Sequence, residues 1–396
     1  MNPRRAILAC VALAACQHTD IVAADRVGDG GVAPYCQGSG PPVLVGDGIT
    51  VGDADGAPDN VCTGTVAVRT FVRALCTCED YVTSTRLTTD SFDSAVAPYT
   101  AGGTSAPVGT DGLLMSSDVL TIGGDLAVAG AGGIGALAAI DVRGDLAVGG
   151  PLGTGVAITA GGDAHVAGNI NLASLTVAGT LTVPDTATLT GAITAGATVR
   201  APVAVDPPCA CGPTDLVDID AFITSQRADN QNARLGLARD RLVDYAGDAA
   251  LDLPCGIYSL TAIRGGGALT LRITGRVALL VDGDVAMHAP LTIELATDDA
   301  ELDFMIGGIL SSDQPIVAGR ADHPSRTRLY IGGDGTIQLS GNDAIAANIY
   351  APRAGVELSG TTELYGSLFA RRLTQAAPVT IHYDVDVRRA DVACPL

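Results

Sequence analysis

The sequence contains no lysine and no tryptophan, and only five phenylalanines and nine tyrosines in 396 residues. The missing lysine removes the cation that some polysaccharide lyases use to stabilise an enolate-like intermediate, and makes every basic residue an arginine. The 23 bases are outnumbered by 43 acids, for a formal charge of −20, which makes nucleic acid a poor partner. So few aromatics leave little for sugar-stacking platforms. A core has to come from Ala, Val, Leu and Ile, and with fifty glycines it must be built of narrow layers and many turns. The acids are spread along the chain and 47% of it is hydrophobic, which fits a solvated folded surface and not a disordered acidic tail.

Catalytic signatures are also missing. There is no Gly-x-Ser-x-Gly elbow and no P-loop, and the five histidines (His18, His165, His288, His323 and His382) are scattered. His382, beside Tyr383, reads as a hydrogen-bonded structural residue. No catalytic residue, cofactor or metal site is assigned.

At the N-terminus, Arg4 and Arg5 precede the apolar run from Ala6 to Ala15, the layout of a secretory signal too short to span a bilayer. It ends in Leu13-Ala14-Ala15-Cys16, which resembles the lipobox cut by lipoprotein signal peptidase, with Cys16 as the lipidated first residue of the mature chain. Cys10 leaves too little hydrophobic run before it. Gln17 stands where an Asp would resemble the inner-membrane retention signal, so the expected address is the outer membrane.

Eight cysteines then remain: Cys36, Cys62, Cys76, Cys78, Cys209, Cys211, Cys255 and Cys394. An even number in an exported chain reads as disulfides. Their clustering suggests one set within Cys36 to Cys78 and another among Cys209, Cys211, Cys255 and Cys394. The pairs Cys76/Cys78 and Cys209/Cys211 are spaced too tightly for ordinary structural zinc and have no nearby histidine.

Between Thr121 and Val199 a unit recurs. Gly124-Asp125-Leu126-Ala127-Val128, Gly144-Asp145-Leu146-Ala147-Val148 and Gly162-Asp163-Ala164-His165-Val166 are followed by a degenerate Gly179-Thr180-Leu181-Thr182-Val183. Starts about 20 residues apart are too close for βαβ units and suit one coil of a β-helix. Leu126 and Val128 alternate with Ala, so one face points inward, while Gly-Asp supplies the corners. After Pro207-Pro208-Cys209-Ala210-Cys211-Gly212-Pro213 the pattern changes. Leu216, Ile219, Phe222 and Ile223 fall at helical spacing, with Thr214 or Asp215 as N-cap, predicting a helix within 215–245 that packs on the side of the solenoid. Extended patterning returns at Leu269–Ile273 and Val277–Val281, with Gly283-Asp284 as a further corner. The expected fold is mainly β: a parallel, right-handed β-helix with a helical insertion and a disulfide-tied N-terminal region. The expected segments are a signal (1–15), a cap region (16–100), a first solenoid half (101–205), a Cys-containing helical segment (206–260) and a second half (261–396).

The last segment carries a resemblance. Asn348-Ile349-Tyr350-Ala351-Pro352-Arg353-Ala354, Leu364-Tyr365-Gly366-Ser367-Leu368-Phe369-Ala370 and Ile381-His382-Tyr383-Asp384 resemble a β-helical C-terminal domain of unknown function in exported bacterial proteins, some related to pilus assembly. Leu253-Pro254-Cys255-Gly256-Ile257-Tyr258 and Leu75-Cys76-Thr77-Cys78-Glu79-Asp80 resemble landmarks of uncharacterised lipoproteins of myxobacteria. The resemblance implies fold and export and carries no catalytic residues.

Four local patterns compete with this reading. Gly130-Ala131-Gly132-Gly133-Ile134-Gly135 matches the dinucleotide fingerprint, yet a new repeat begins at Gly144 and leaves no room for the helix and second strand. Arg143-Gly144-Asp145 spells an integrin-type tripeptide, but its Gly-Asp belongs to the repeat. Asp53–Asn60 and Gly332–Gly335 are oxygen-rich turns that fit no known calcium loop. Asp282 with Asp284, and Asp298 with Asp299, could pair as glycosidase carboxylates. The expectation is a non-enzymatic, lipid-anchored envelope protein acting as a structural or adhesin-like module toward a matrix polysaccharide, another envelope protein or itself; self-association would resemble the polymerising bactofilins. The alternative is a carbohydrate-binding or carbohydrate-active β-helix.

Overall fold

The computed structural model describes Cys36 and residues 43–45, 60–153, 155–339 and 343–391. The signal segment with Cys10 and Cys16, the Asp53–Asp59 turn and Cys394 lie outside them. Among the described residues, no helix is long and apolar enough to cross a membrane.

The repeats form a parallel solenoid with three strands to a coil. In the repeat region these are short segments such as Leu126–Val128, Ile134–Ala136 and Ile140–Val142, each with its two outer residues buried and the middle one turned outward. Each strand pairs in register with its equivalent one coil away, as Leu126 does with Leu146 and Ile140 with Ile158. Stacking satisfies the backbone and buries a continuous aliphatic column.

The corners explain the Gly-Asp signature. The backbone N–H of Asp145 donates to Asp125 Oδ1 (2.9 Å), that of Asp163 to Asp145 Oδ1 (2.8 Å) and that of Thr180 to Asp163 Oδ1 (2.7 Å). Each carboxylate thus caps the corner of the next coil. A Cβ on Gly144 would lie 2.1 Å from Asp125 Oδ1, and one on Gly162 lies 2.0 Å from Asp145 Oδ1. The aspartate of one coil therefore requires the glycine of the next.

The two halves stack in reversed sequence order. Leu75–Thr77 pairs with Leu368–Ala370, and Leu87–Phe92 pairs with Val379–Asp384. The last coils of the C-terminal half thus lie directly beneath the first coils of the N-terminal half, and the solenoid already includes Leu75, inside the segment expected as a cap. One column of inward residues runs through the seam: Tyr258, Leu279, Phe304, Leu329, Ile349, Leu368, then Leu75, Val108, Leu126, Leu146, Ala164, Leu181 and Thr198. Thirteen rungs at the spacing of paired strands make a rod of roughly 60 Å.

From the upper end the chain must return to the lower end, and 201–243 does so as a strap down one face. Arg73 Nε donates to Pro208 O (2.9 Å), the N–H of Val217 donates to Tyr350 Oη (3.1 Å), and Asn232 Nδ2 donates to Ser259 O (2.7 Å). The strap holds helix α1 of the return path (Ile219–Gln226) and a second short helix (Asn232–Leu235). The N-cap is Asp218, whose side chain accepts from the Ala221 N–H, and not Thr214 or Asp215, because residues 212–218 are still turning off the rod. Beside the strap packs a helix of the N-terminal segment, Thr63–Thr70. Under this cover the strands are buried on both sides: Leu280, Met305, Tyr330 and Tyr350 point away from the interior yet are at most 1% exposed.

Candidate functional site

The seam gathers most of the side-chain chemistry that the sequence scatters. On the outward surface of three adjacent strands, Tyr365, His382 and Asp90 occupy one register column. The first two belong to the C-terminal half and the third to the N-terminal half. His382 Nδ1 lies 2.6 Å from Asp90 Oδ1 and Nε2 lies 2.9 Å from Glu363 Oε1. Tyr99, from the loop after Phe92, folds over the column and donates its hydroxyl to Asp90 Oδ2 (2.7 Å), while Tyr365 donates to Glu363 Oε1 (3.2 Å). The rings of Tyr99 and Tyr365 sit 4.3 and 4.6 Å from the imidazole, and Phe92 meets both tyrosines edge-on.

This geometry fixes the protonation of the site. An imidazole between two carboxylates satisfies both only by donating from both nitrogens, as imidazolium. Burial pulls the His382 pKa down, but the hydrogen bonds and charges of Asp90 and Glu363 outweigh it and the pKa is raised. Burial pushes Asp90 up, and the His382 and Tyr99 hydrogen bonds reverse this, so its pKa is lowered. The Tyr99 phenol is pushed up by burial and by the neighbouring Asp90. The ordinary values are 6.5 for the imidazole and 3.8 for the carboxylate. The histidine's contribution to stability is therefore complete below 6.5 and fades as pH rises through its raised folded value; the aspartate's is present above 3.8 and fades as pH falls through its lowered one. The stability difference between the native chain and His382→Gln should be widest between these limits and shrink at alkaline pH, read as melting temperature across a pH series. A difference that stays constant up to pH 10 would remove the imidazolium from the clamp.

Asp299 is exposed at the surface, and the other acids of the two expected carboxylate pairs have structural partners. Asp282 faces Arg239 and Arg227 of the strap, Asp284 Oδ1 accepts the Ile309 N–H (3.0 Å), and Asp298 pairs with Arg320 (2.9 Å). Arg143 pairs with Asp141 (3.2 Å), and Asp145 of the same tripeptide caps its corner. Gly130–Gly133 is a coil corner, with Gly133 at φ +65°. Among the described residues, no group of three or more His, Cys, Asp or Glu could hold a metal ion.

The described disulfides pair cysteines across the two expected sets and not within them. Cys36 bonds Cys255, Cys76 bonds Cys209 and Cys78 bonds Cys211. For Cys209 and Cys211 the reason is the returning strap, which carries them past Cys76 and Cys78, whereas Cys255 sits in the lower coils between two strands. Cys62 ends the strand Asn60–Cys62. A cleft of about 300 Å³ opens where the strap crosses the seam, lined by Arg69, Asp215, Tyr350 and Phe369 among others.

Two of the three strands that form the His382 column lie in a stretch that can be classified. Residues 212–390 match the family model described as Domain of unknown function (DUF7305). No curated protein and no solved structure matches the chain. The DUF7305 stretch contributes Glu363, Tyr365 and His382, whereas Phe92, Asp90 and Tyr99 come from outside it. The site is thus completed by the N-terminal half closing on the DUF7305 coils. Sequence reading missed it because its members are spread from residue 90 to 382; the one available signal was that an aromatic-poor chain places tyrosines beside acids at Glu363-Leu364-Tyr365.

Proposed function

We propose that this chain is a non-enzymatic, lipid-anchored rod of a bacterial outer membrane, related to the exported lipoproteins it resembles, that presents a rigid acidic surface to a matrix component or another envelope protein. The observation that carries this reading is the way the solenoid is locked. A strap, three described disulfides and the Asp90–His382–Glu363 clamp hold both halves in one stack, and the site's polar groups bond one another. A rigid body of this kind suits presentation of a surface. Cys36 is bonded to Cys255 in the lower coils, so a lipid on Cys16 would tether that end through a linker that reaches at most about 70 Å.

A carbohydrate-binding role is the second reading, favoured by the concentration of Phe92, Tyr99 and Tyr365 beside Glu363, whose side chain is 61% exposed. One pair of measurements separates the two. Cys16→Ala should move the protein from the membrane to the soluble fraction; retention in the membrane would sink the anchor. A glycan-binding and polysaccharide-digestion screen of the full chain should be silent for a rod that binds protein. Binding lost in Tyr365→Ala would promote the carbohydrate reading, and turnover of any polysaccharide would end the non-enzymatic one.

A further inference from the structure

The lower end of the solenoid is covered on one face, and the upper end on none among the described residues. At the lower end the strap covers the edge of one strand, Gly256–Leu260: the N–H of Gln231 donates to Ile257 O (2.7 Å), the Ile257 N–H to Gln231 Oε1 (2.5 Å) and the Ser259 N–H to Asn232 Oδ1 (2.9 Å). Ala249–Leu253 is paired only along its upper edge, with Leu269–Ile273. Val243–Tyr245 pairs beneath Ile263–Gly265 on a second face. At the upper end the last strand, Leu189–Arg200, is paired only along its lower edge, with Ile170–Val183. Among the described residues nothing pairs with its other edge. Its inward residues show the lack of cover. Ile170, Leu175 and Leu181 are 0% exposed, but Leu189 and Ile193, directly above the first two, are only partly buried, and Thr198 above Leu181 is exposed.

We infer that this end is an interface for a second copy of the same chain, joined top to top about a two-fold axis perpendicular to the rod. Three features favour that occupant. A strand edge is self-complementary, because antiparallel pairing with its own copy gives each free N–H a carbonyl. The charge that makes the flanks repel is missing here: between Asp163 and Asp206 the only charged residues are Asp185 and Arg200. These two are also self-complementary. Arg200 Nη1 donates to Pro184 O (2.9 Å) and Ala187 O (2.7 Å), which places it at the Asp185 corner, opposite the strand face that carries Ile193. A two-fold axis through the middle of that face also passes through the opposite corner, and sets Arg200 of each copy against Asp185 of the other. A two-fold contact between two upper ends uses the same surface on both copies and is closed, so this interface joins two chains and no more. The interface is independent of lipid anchoring.

The test is the molar mass of the full chain made without lipid (Cys16→Ala), by sedimentation across a concentration series. The native surface should give twice the mass of a single chain. Ala195→Glu with Thr198→Glu, which places carboxylates on the open end, should give a monomer that keeps the native β-type circular dichroism and melts lower, as loss of the dimer requires. Either Arg200→Asp or Asp185→Arg should weaken the dimer at least tenfold, and the two together should restore it, which a merely misfolded variant would not do. A monomer at every concentration, an open-ended filament, or a dimer indifferent to the two glutamates would overturn the inference. Pairing with an unrelated strand in place of a second copy would overturn it too.

Discussion

Replacing both Cys76 and Cys78 by alanine is expected to cost roughly 7 kcal/mol of unfolding free energy, whereas replacing either one costs about 2 kcal/mol. The asymmetry follows from loop closure. Each bridge spans a sequence separation of 133 residues, and the first to form restricts the unfolded chain by roughly 5 kcal/mol on chain-entropy grounds. With that bridge in place, the second closes a loop of only a few residues and adds about 2 kcal/mol. The pair therefore acts as one fastening with a spare, and the double variant should lose more than the sum of the singles. Denaturant midpoints of the four proteins measure it. Single variants that each lose half of the total would show that the bridges act independently and that the returning strap is held by its packing.

The strap also shows where the sequence stopped being readable. The coils were legible because the corner chemistry is local: Gly-Asp recurs since the Asp125 carboxylate occupies the space above it and Gly144 alone can fit there. The inward alternation of Leu126 and Val128 was legible for the same reason. The stacking order was not, because Leu75 meets Leu368 and Val379 meets Leu87 through registers that leave no spacing signal between distant segments. Reversal of the halves in turn decided the cysteine pairing, which clustering along the chain pointed to wrongly. One clue to the strap was available. Val277-Ala278-Leu279-Leu280-Val281 and Leu302 to Ile306 are almost continuously apolar where the upper coils alternate, as strands covered on both sides are. The Tyr365–His382–Asp90 column depends on that same long-range register and could be seen only with the coils in place.

Beneath the N-terminal helix lies the change expected to do most damage as a single substitution. Arg328 is 2% exposed and Asp303 0%, and they face each other on adjacent strands through two bonds, Nε to Oδ1 at 2.7 Å and Nη2 to Oδ2 at 3.1 Å. Glu301 adds a third bond to Nη2 (2.8 Å), Ser325 O accepts from Nη1 (2.9 Å), and Thr63 donates to Asp303 Oδ2 (2.7 Å). Burial alone would lower the arginine's pKa, but Asp303 and Glu301 reverse this and raise it, so the guanidinium stays charged throughout. Asp303→Ala then leaves a buried cation without its bidentate partner, at an expected cost of about 3–5 kcal/mol. The combined replacement Asp303→Leu with Arg328→Met removes both charges and should recover most of that loss, since a buried pair contributes little net stability over an apolar pair of similar volume. Thr63 loses the Asp303 acceptor in both variants, so the N-terminal helix should become more exposed to proteolysis in each. Equal destabilisation of the single and double variants would mean that the ion pair contributes more than its apolar replacement and that the charges themselves, beyond their mutual neutralisation, hold the helix on the rod.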